Sequence, residues 1–276
     1  MVNVKKATDR LDDHQTPRPS TDESRPEDMA AADALRERYE REGATTQRYD
    51  SSSYWDRRYH VRRFEEVTGT LARLLEPGAS FLDVGCGTGE YVRWAADRGA
   101  GATNGVDLAE EYCERTRALV PTARVERCDA SALPFADQEV DVVLCSEVIE
   151  HIPYADQARV VQELQRVTRR HLVITTPNTG AALRVLARRL ARGKVAELDD
   201  EVGHIALLRR AELVALALRT GWVVEPVRVH HITPPVIGEL LRLPSALDRT
   251  AHVVERAADR VVSRAGNAMI MVCTRV

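Results

Sequence analysis

The stretch FLDVGCGTGEYV, residues 81–92, decides how the rest of the chain is read. Phe81, Leu82 and Val84, with Asp83 among them, run into Gly85-Cys86-Gly87-Thr88-Gly89, and a helical pattern starts immediately afterwards. Glycines at that junction allow a tight turn, let a ligand lie against the backbone, and leave the first N–H groups of the helix free to donate. A single glycine-rich loop is a weak signal, and its surroundings give it meaning.

Outward from the loop, strand and helix patterns alternate. Strands are expected at 80–85, 102–107, 123–128, 140–145 and 171–176, and helices at about 88–98, 109–119, 155–168 and 209–219. Such alternation argues for an α/β fold with a Rossmann-like, seven-stranded, mostly parallel sheet and helices on both faces. The segments WVVEPVRVH (222–230) and NAMIMVCTRV (267–276) supply two late strands, the last expected to run antiparallel. In sheets of this kind ligands sit at the carboxyl ends of the strands. The glycine loop, Asp107, Asp129 and the CSEVIEHIPY stretch (145–154) therefore share one crevice.

The loop chemistry narrows the ligand. The spacing is GxGxG, and Glu90 stands where a dinucleotide fingerprint has its third glycine. A carboxylate there sits poorly against a pyrophosphate, which favours S-adenosylmethionine over a nicotinamide dinucleotide. Asp107, at the end of the second strand, can accept from both ribose hydroxyls. Asp129, after the third strand, can accept from an adenine amino group. The alternative for each aspartate is a cap on the following helix.

These segments carry a resemblance. LDVGCGTGEYV, VDLAEEYCERTRAL, CDASALPFADQEVDVVLCSEVIEHI, ITTPN and GHIALLRRAELVALALRTGW resemble, in order, the class I S-adenosylmethionine-dependent methyltransferases. The subgroup resembled is the small-molecule enzymes that include those of ubiquinone and menaquinone synthesis. The likeness runs from about Phe81 to Trp222. It implies that Asp83, Gly85, Cys86, Gly87 and Gly89 hold the methionine part of the cofactor. It further implies that Asp107 binds the ribose, Leu108 and Ala130 flank the adenine, Asp129 reaches the amino group, and Ser146 and Glu147 border the sulfonium. Where the family often has a Lys-Pro-Gly-Gly turn, this chain reads VTRRHLVITTPN.

His151 is the candidate catalytic residue, as a general base on an acceptor hydroxyl; lining the pocket is the alternative. Histidine suits a base at neutral pH. A metal role is not expected, because no His or Cys cluster lies near it in sequence and His60, His204, His230 and His231 come close only through folding. Glu147 and His151 are four apart, which on a helix would face them together. Tyr54, Asn178 and His204 are candidate substrate contacts. Tyr49, Tyr54, Trp55 and Arg58 resemble the N-terminal helix that closes over the cofactor in some methyltransferases.

Composition bounds the rest. At 44% hydrophobic and a net charge of -3, the chain lacks the electrostatic footprint of a nucleic-acid binder. The Asn/Asp-Pro-Pro-aromatic motif of base-amino methyltransferases is replaced by CSEVIEH. No apolar run is long enough for a membrane span. Five cysteines without a CxxC pair fit free thiols and a cytoplasmic location; thiolate ligation of a soft substrate such as arsenite is the alternative. Residues 1–30 read as a disordered tail and 31–276 as one domain: N-terminal helices to about 76, a cofactor core at about 79–178, and helical lid insertions at about 179–204 and 234–264. Phe64, Val67, Leu71, Leu74 and Leu75 mark the last N-terminal helix, stopped by Pro77-Gly78. The basic helix 181–194 is read as a solvated lid face, with peripheral lipid or anionic substrate as the alternative. The acceptor expected is a small molecule, with N- or C-methylation, a nucleic-acid substrate, or cofactor binding without transfer as the competing readings.

Overall fold

The computed structural model describes residues 54–179, 204–230, 266 and 268–276, with side chains from residue 60 onward and without that of His230. The expected tail, residues 180–203 of the insertion expected at about 179–204, the insertion at 234–264, the segment 181–194 expected as a basic helix, Tyr49 and the side chains of Tyr54, Trp55 and Arg58 lie outside the described residues. Helix α1 (Tyr54–Leu71) precedes strand β1 (Ser80–Val84), helix α2 (Glu90–Asp97), β2 (Ala102–Asp107), α3 (Glu110–Leu119), β3 (Arg124–Arg127) and β4 (Val140–Ser146). A short 3-10 turn (Ile149–His151) leads to α4 (Tyr154–Val167) and β5 (Thr168–Pro177). Helix α5 (Arg210–Ala217), β6 (Trp222–Val224), β7 (Arg228–His230) and β8 (Ala268–Arg275) complete the fold.

The strands form one sheet in the order β3-β2-β1-β4-β5-β8-β6, with β7 also on β8. β1 to β5 are parallel, and β8 runs antiparallel to β5, β6 and β7. The late strand expected at 222–230 is split, so the sheet has eight strands where seven were expected. β6 pairs with Cys273–Arg275 and β7 with Ala268–Ile270. Pro226 falls in the gap between them and has no N–H to give a ladder.

Both sheet faces are covered, and the strands show why their sequences are almost continuously apolar. Leu82, Val84, Val143, Cys145, Leu172, Ile174, Met269 and Met271 point to one face, where they pack with Val160, Val161 and Leu164 of α4 and Leu213 of α5. Their neighbours Phe81, Val142, Leu144, Val173, Ile270 and Val272 point to the other, against Val67 and Leu71 of α1 and Tyr91 and Ala95 of α2. The strand period of two thus supplies both cores. Truncating a fully buried residue such as Leu164 to alanine would cost about 2–5 kcal/mol.

The sheet order reverses direction between β1 and β4. Val84 is in register with Cys145, so the loops leaving these two strands emerge side by side. That switch point is where the crevice of such a sheet forms.

Candidate functional site

The glycine loop takes its shape from a carboxylate. The backbone N–H of Gly87 donates to Asp107 Oδ2 at 2.9 Å, and that of Ala109 to Oδ1 at 3.0 Å. Burial pushes the Asp107 carboxyl above its usual range, against the backbone donors of Ala109, Gly87 and Leu108 that hold it down. Gly85 lies at φ +77, and a Cβ there would come within 2.3 Å of Val148 Cγ2, so neither its backbone nor its space admits a side chain. Gly89, at φ +87, caps α2 and abuts Thr116.

Asp83 sits beneath this loop with 1% of its surface exposed. Neither carboxylate oxygen has a hydrogen-bond partner among the described residues. Burial raises its pKa well above the ordinary value, and the neighbouring Asp107 and Glu90 raise it further. A buried carboxylate without a donor is costly, and a cationic ammonium group in the crevice would supply one. The orphaned Asp83 and the close-approach glycines fit the amino-acid end of S-adenosylmethionine, and Asp107 retains lone pairs for ribose hydroxyls.

Asp129 lies after β3, with Oδ1 accepting from the N–H of Ser131 at 2.8 Å, an Asx-type turn; the chain runs on to β4 without a helix, so Asp129 does not cap one. The N–H of Cys128 donates to the backbone oxygen of Asp107 at 3.0 Å, which ties the ends of β2 and β3 together. Leu108 and Ala130 flank this junction in sequence, and Ala130 packs on the apolar core.

At the end of β4 the structure departs from the helical expectation. Glu147 has φ +57, a left-handed conformation uncommon for a side-chain-bearing residue, and leaves the strand rather than starting a helix. The four-residue spacing to His151 therefore does not bring the two together as on a helix face. Glu147 is held by others: Thr175 Oγ1 donates to its Oε1 at 2.9 Å, its N–H donates to the Thr175 carbonyl at 3.0 Å, and Arg63 of α1 lies 3.6 Å from Oε2. Ser146 donates to Thr175 Oγ1 at 2.9 Å, completing the chain of hydroxyls.

The 3-10 turn brings together residues that are far apart in sequence. Glu150 is fully buried. Its Oε2 accepts from Thr176 Oγ1 at 3.0 Å, and its Oε1 has no partner among the described residues. Burial raises its carboxyl well above the usual range, Glu147 adds to that, and Thr176 and Arg63 oppose it. The Glu150 carbonyl accepts from the N–H groups of Ile205 and Ala206 at 3.1 and 3.0 Å, which presents His204 beside His151 with ring centroids 5.2 Å apart. Gln157 clamps the same segment by donating to the carbonyls of Ile149 and Ala206, each at 2.9 Å. Donor atoms of Glu150, His151 and His204 all lie within 4.8 Å of one another.

Among the other candidates, Asn178 is buried and donates to the Gly266 carbonyl at 2.8 Å, joining the end of β5 to the approach to β8. Arg63, Glu150, Thr175 and Thr176 are site residues that the sequence patterns did not single out. Glu150 had a signal, a second glutamate directly before His151; Arg63 and the threonines had none. No helix among the described residues is long and apolar enough to cross a membrane.

Residues 82–174 match the family described as a methyltransferase domain. Over 174 residues the chain is 30% identical to 27-O-demethylrifamycin SV methyltransferase of Amycolatopsis mediterranei, covering 55% of this chain and 62% of the relative. Over 130 residues it is 36% identical to a ubiquinone biosynthesis O-methyltransferase of Neisseria meningitidis, covering 43% and 54%. It thus spans little more than half the length of these two relatives. The fold is similar to that of magnesium protoporphyrin IX methyltransferase from Synechocystis, a structure with bound SAH, at a TM-score of 0.62 and 16% identity over 88% of this chain and 99% of that one.

Proposed function

We propose that this chain, whose residues 82–174 match a methyltransferase domain, is a class I S-adenosylmethionine-dependent methyltransferase that transfers the methyl group to a hydroxyl of a small-molecule acceptor. The observation that carries the reading is the orphaned, buried Asp83 under a glycine loop shaped by Asp107. The preference for oxygen is supported by the two O-methyltransferase relatives and by the imidazole pair at the lip of the crevice.

When bound, the cofactor supplies an electrophilic methyl group on a sulfonium. Asp83 holds the ammonium end, Asp107 the ribose and Asp129 the adenine amino group, so the chain fixes the position from which the methyl leaves. Its main task is then to hold the acceptor oxygen in line at about 3–3.5 Å from that carbon. With the cofactor bound, the acceptor C–O bond would form as the C–S bond breaks, the sulfur would keep the electron pair, and the hydroxyl proton would pass to a base on this chain or to water. In the chain without a bound cation, His151 takes that proton, a contribution of about 10²–10⁴-fold. Tyr54, Asn178 and His204 are the proposed acceptor contacts.

The test is transfer of a labelled methyl group in cell extract separated into small-molecule, lipid, nucleic-acid and protein fractions. Label in a small-molecule or lipid fraction that disappears with Asp107→Ala supports the reading, and a loss with His151→Ala on the same product, measured with chelator-treated protein, supports the base. Label confined to nucleic acid overturns the acceptor class.

A further inference from the structure

We propose that Glu150, His151 and His204 form a binding site for one divalent transition-metal ion, with zinc the ion the donor set favours. The three side chains offer one carboxylate oxygen and two imidazole nitrogens, all within 4.8 Å of one another. A tetrahedral ion with oxygen and nitrogen ligands at about 2.0–2.2 Å spaces its donors about 3.4 Å apart. Rotation of the two half-buried imidazoles closes the remaining distance.

Glu150 is the second, independent observation. Its side chain is fully buried, yet Oε1 has no hydrogen-bond partner among the described residues. Thr176 binds the other oxygen and fixes the carboxylate plane. Metal-ligating carboxylates are held in this way by an outer hydroxyl or amide. Arg63 lies 3.6 Å from Glu147 and acts on Glu150 as well, so among the described residues two acids share its charge. A divalent ion would neutralise what Arg63 leaves.

The ligands are also preorganised. His204 comes from a segment held to the turn by two backbone bonds to the Glu150 carbonyl, by Gln157 on Ala206, and by the Tyr154 hydroxyl on the Leu207 carbonyl at 2.7 Å. Two imidazoles and one carboxylate suit zinc, cobalt, nickel or iron better than magnesium or calcium, which demand oxygen-rich shells. Three protein donors leave one position of a tetrahedral ion open. That position, beside the end of β4, suits the acceptor hydroxyl, whose pKa the ion would lower so that solvent water can take the proton. His151 is then a ligand.

The experiment uses the full chain, freed of metal with a chelator and titrated with Co²⁺ and with Zn²⁺. The expected result is one Co²⁺ per chain with the intense visible bands of a tetrahedral site, displaced by Zn²⁺. His204→Ala and Glu150→Gln should each weaken binding at least tenfold, while His204→Ala retains its affinity for S-adenosylhomocysteine, which excludes collapse of the fold. A spectrum of aqueous Co²⁺ throughout, or undiminished binding in His204→Ala, overturns the site. Labelled methyl transfer by the metal-free protein would in that case leave the methyltransferase reading standing by itself.

Discussion

The backbone N–H of Gly87 donates to Asp107 Oδ2 at 2.9 Å, so the acid proposed for the ribose also builds the loop proposed for the methionine end. Its other oxygen accepts from Ala109 at 3.0 Å. Hydrogen bonds to a charged group contribute about 1.5–3 kcal/mol each. Asp107→Ala should lower stability by about 3 kcal/mol in urea unfolding and weaken S-adenosylhomocysteine binding more than tenfold by calorimetry. Asp107→Asn, which keeps one acceptor, should fall between. Full affinity in the alanine variant would remove Asp107 from the site.

Asp83 trades stability for binding. In the unfolded chain its carboxyl ionises near 3.8, whereas burial, with Asp107 and Glu90 nearby, raises it well above that in the fold. Between those two values the native state holds a proton the unfolded state has lost, so stability declines as pH rises through the window. Asp83→Asn removes the decline. Without cofactor at pH 7 the variant should melt higher than the parent, by about 2–4 °C for each kcal/mol recovered. With cofactor the order should reverse; an unchanged melting curve at every pH would show that Asp83 has a donor in solution.

Gly85 and Val148 should be energetically coupled. Gly85→Ala places a Cβ 2.3 Å from Val148 Cγ2 and keeps φ at +77. Val148→Ala in the same chain should relieve the clash but leave about 1–2 kcal/mol of left-handed strain. Urea unfolding of the two singles and the double should therefore give a favourable coupling energy, and additive effects would contradict the packing described.

The thiols should be inert. Burial pushes Cys113 up to about 11, Cys128 to about 12 and Cys273 to about 12, with Cys86 and Cys145 higher still. The thiolate is the reactive form. Iodoacetamide at pH 7.5 should label the native protein negligibly within the time in which the urea-unfolded chain is fully labelled. Rapid native labelling of Cys128, the one cysteine that is not fully buried, would mark an opening of the β2–β3 end.

Gln157 should govern the segment that carries His204. Its amide donates to the carbonyls of Ile149 and Ala206 from a buried position. Gln157→Ala leaves both without that donor, at a cost of about 1–3 kcal/mol for each that stays unpaired. Hydrogen exchange at Ile205 and Ala206, whose N–H groups bind the Glu150 carbonyl, should quicken at least tenfold, with the exchange of β4 little changed.

The loop at 85–89, Asp107 and Asp129 are legible in the sequence, because glycine spacing and an acid at a strand end are local patterns tied to local conformations. The strands are equally legible, since both faces of a parallel sheet are buried and each strand is an apolar run. Their number is less so. Pro226 interrupts a stretch whose composition otherwise reads as one strand, and only pairing with β8 shows that the chain resumes on the other side of it.

The sequence by itself determined the fold class and the glycine loop with its aspartates at the strand ends, because single side chains and local backbone conformation build that side of the crevice. Tertiary structure alone decided what gathers at the end of β4. The left-handed turn at Glu147 cancels the helical spacing to His151, and Arg63 arrives from α1 to hold that glutamate. His204 reaches Glu150 and His151 across more than fifty residues through two backbone hydrogen bonds. Such contacts depend on where separate segments meet, and no periodicity within either segment records the meeting.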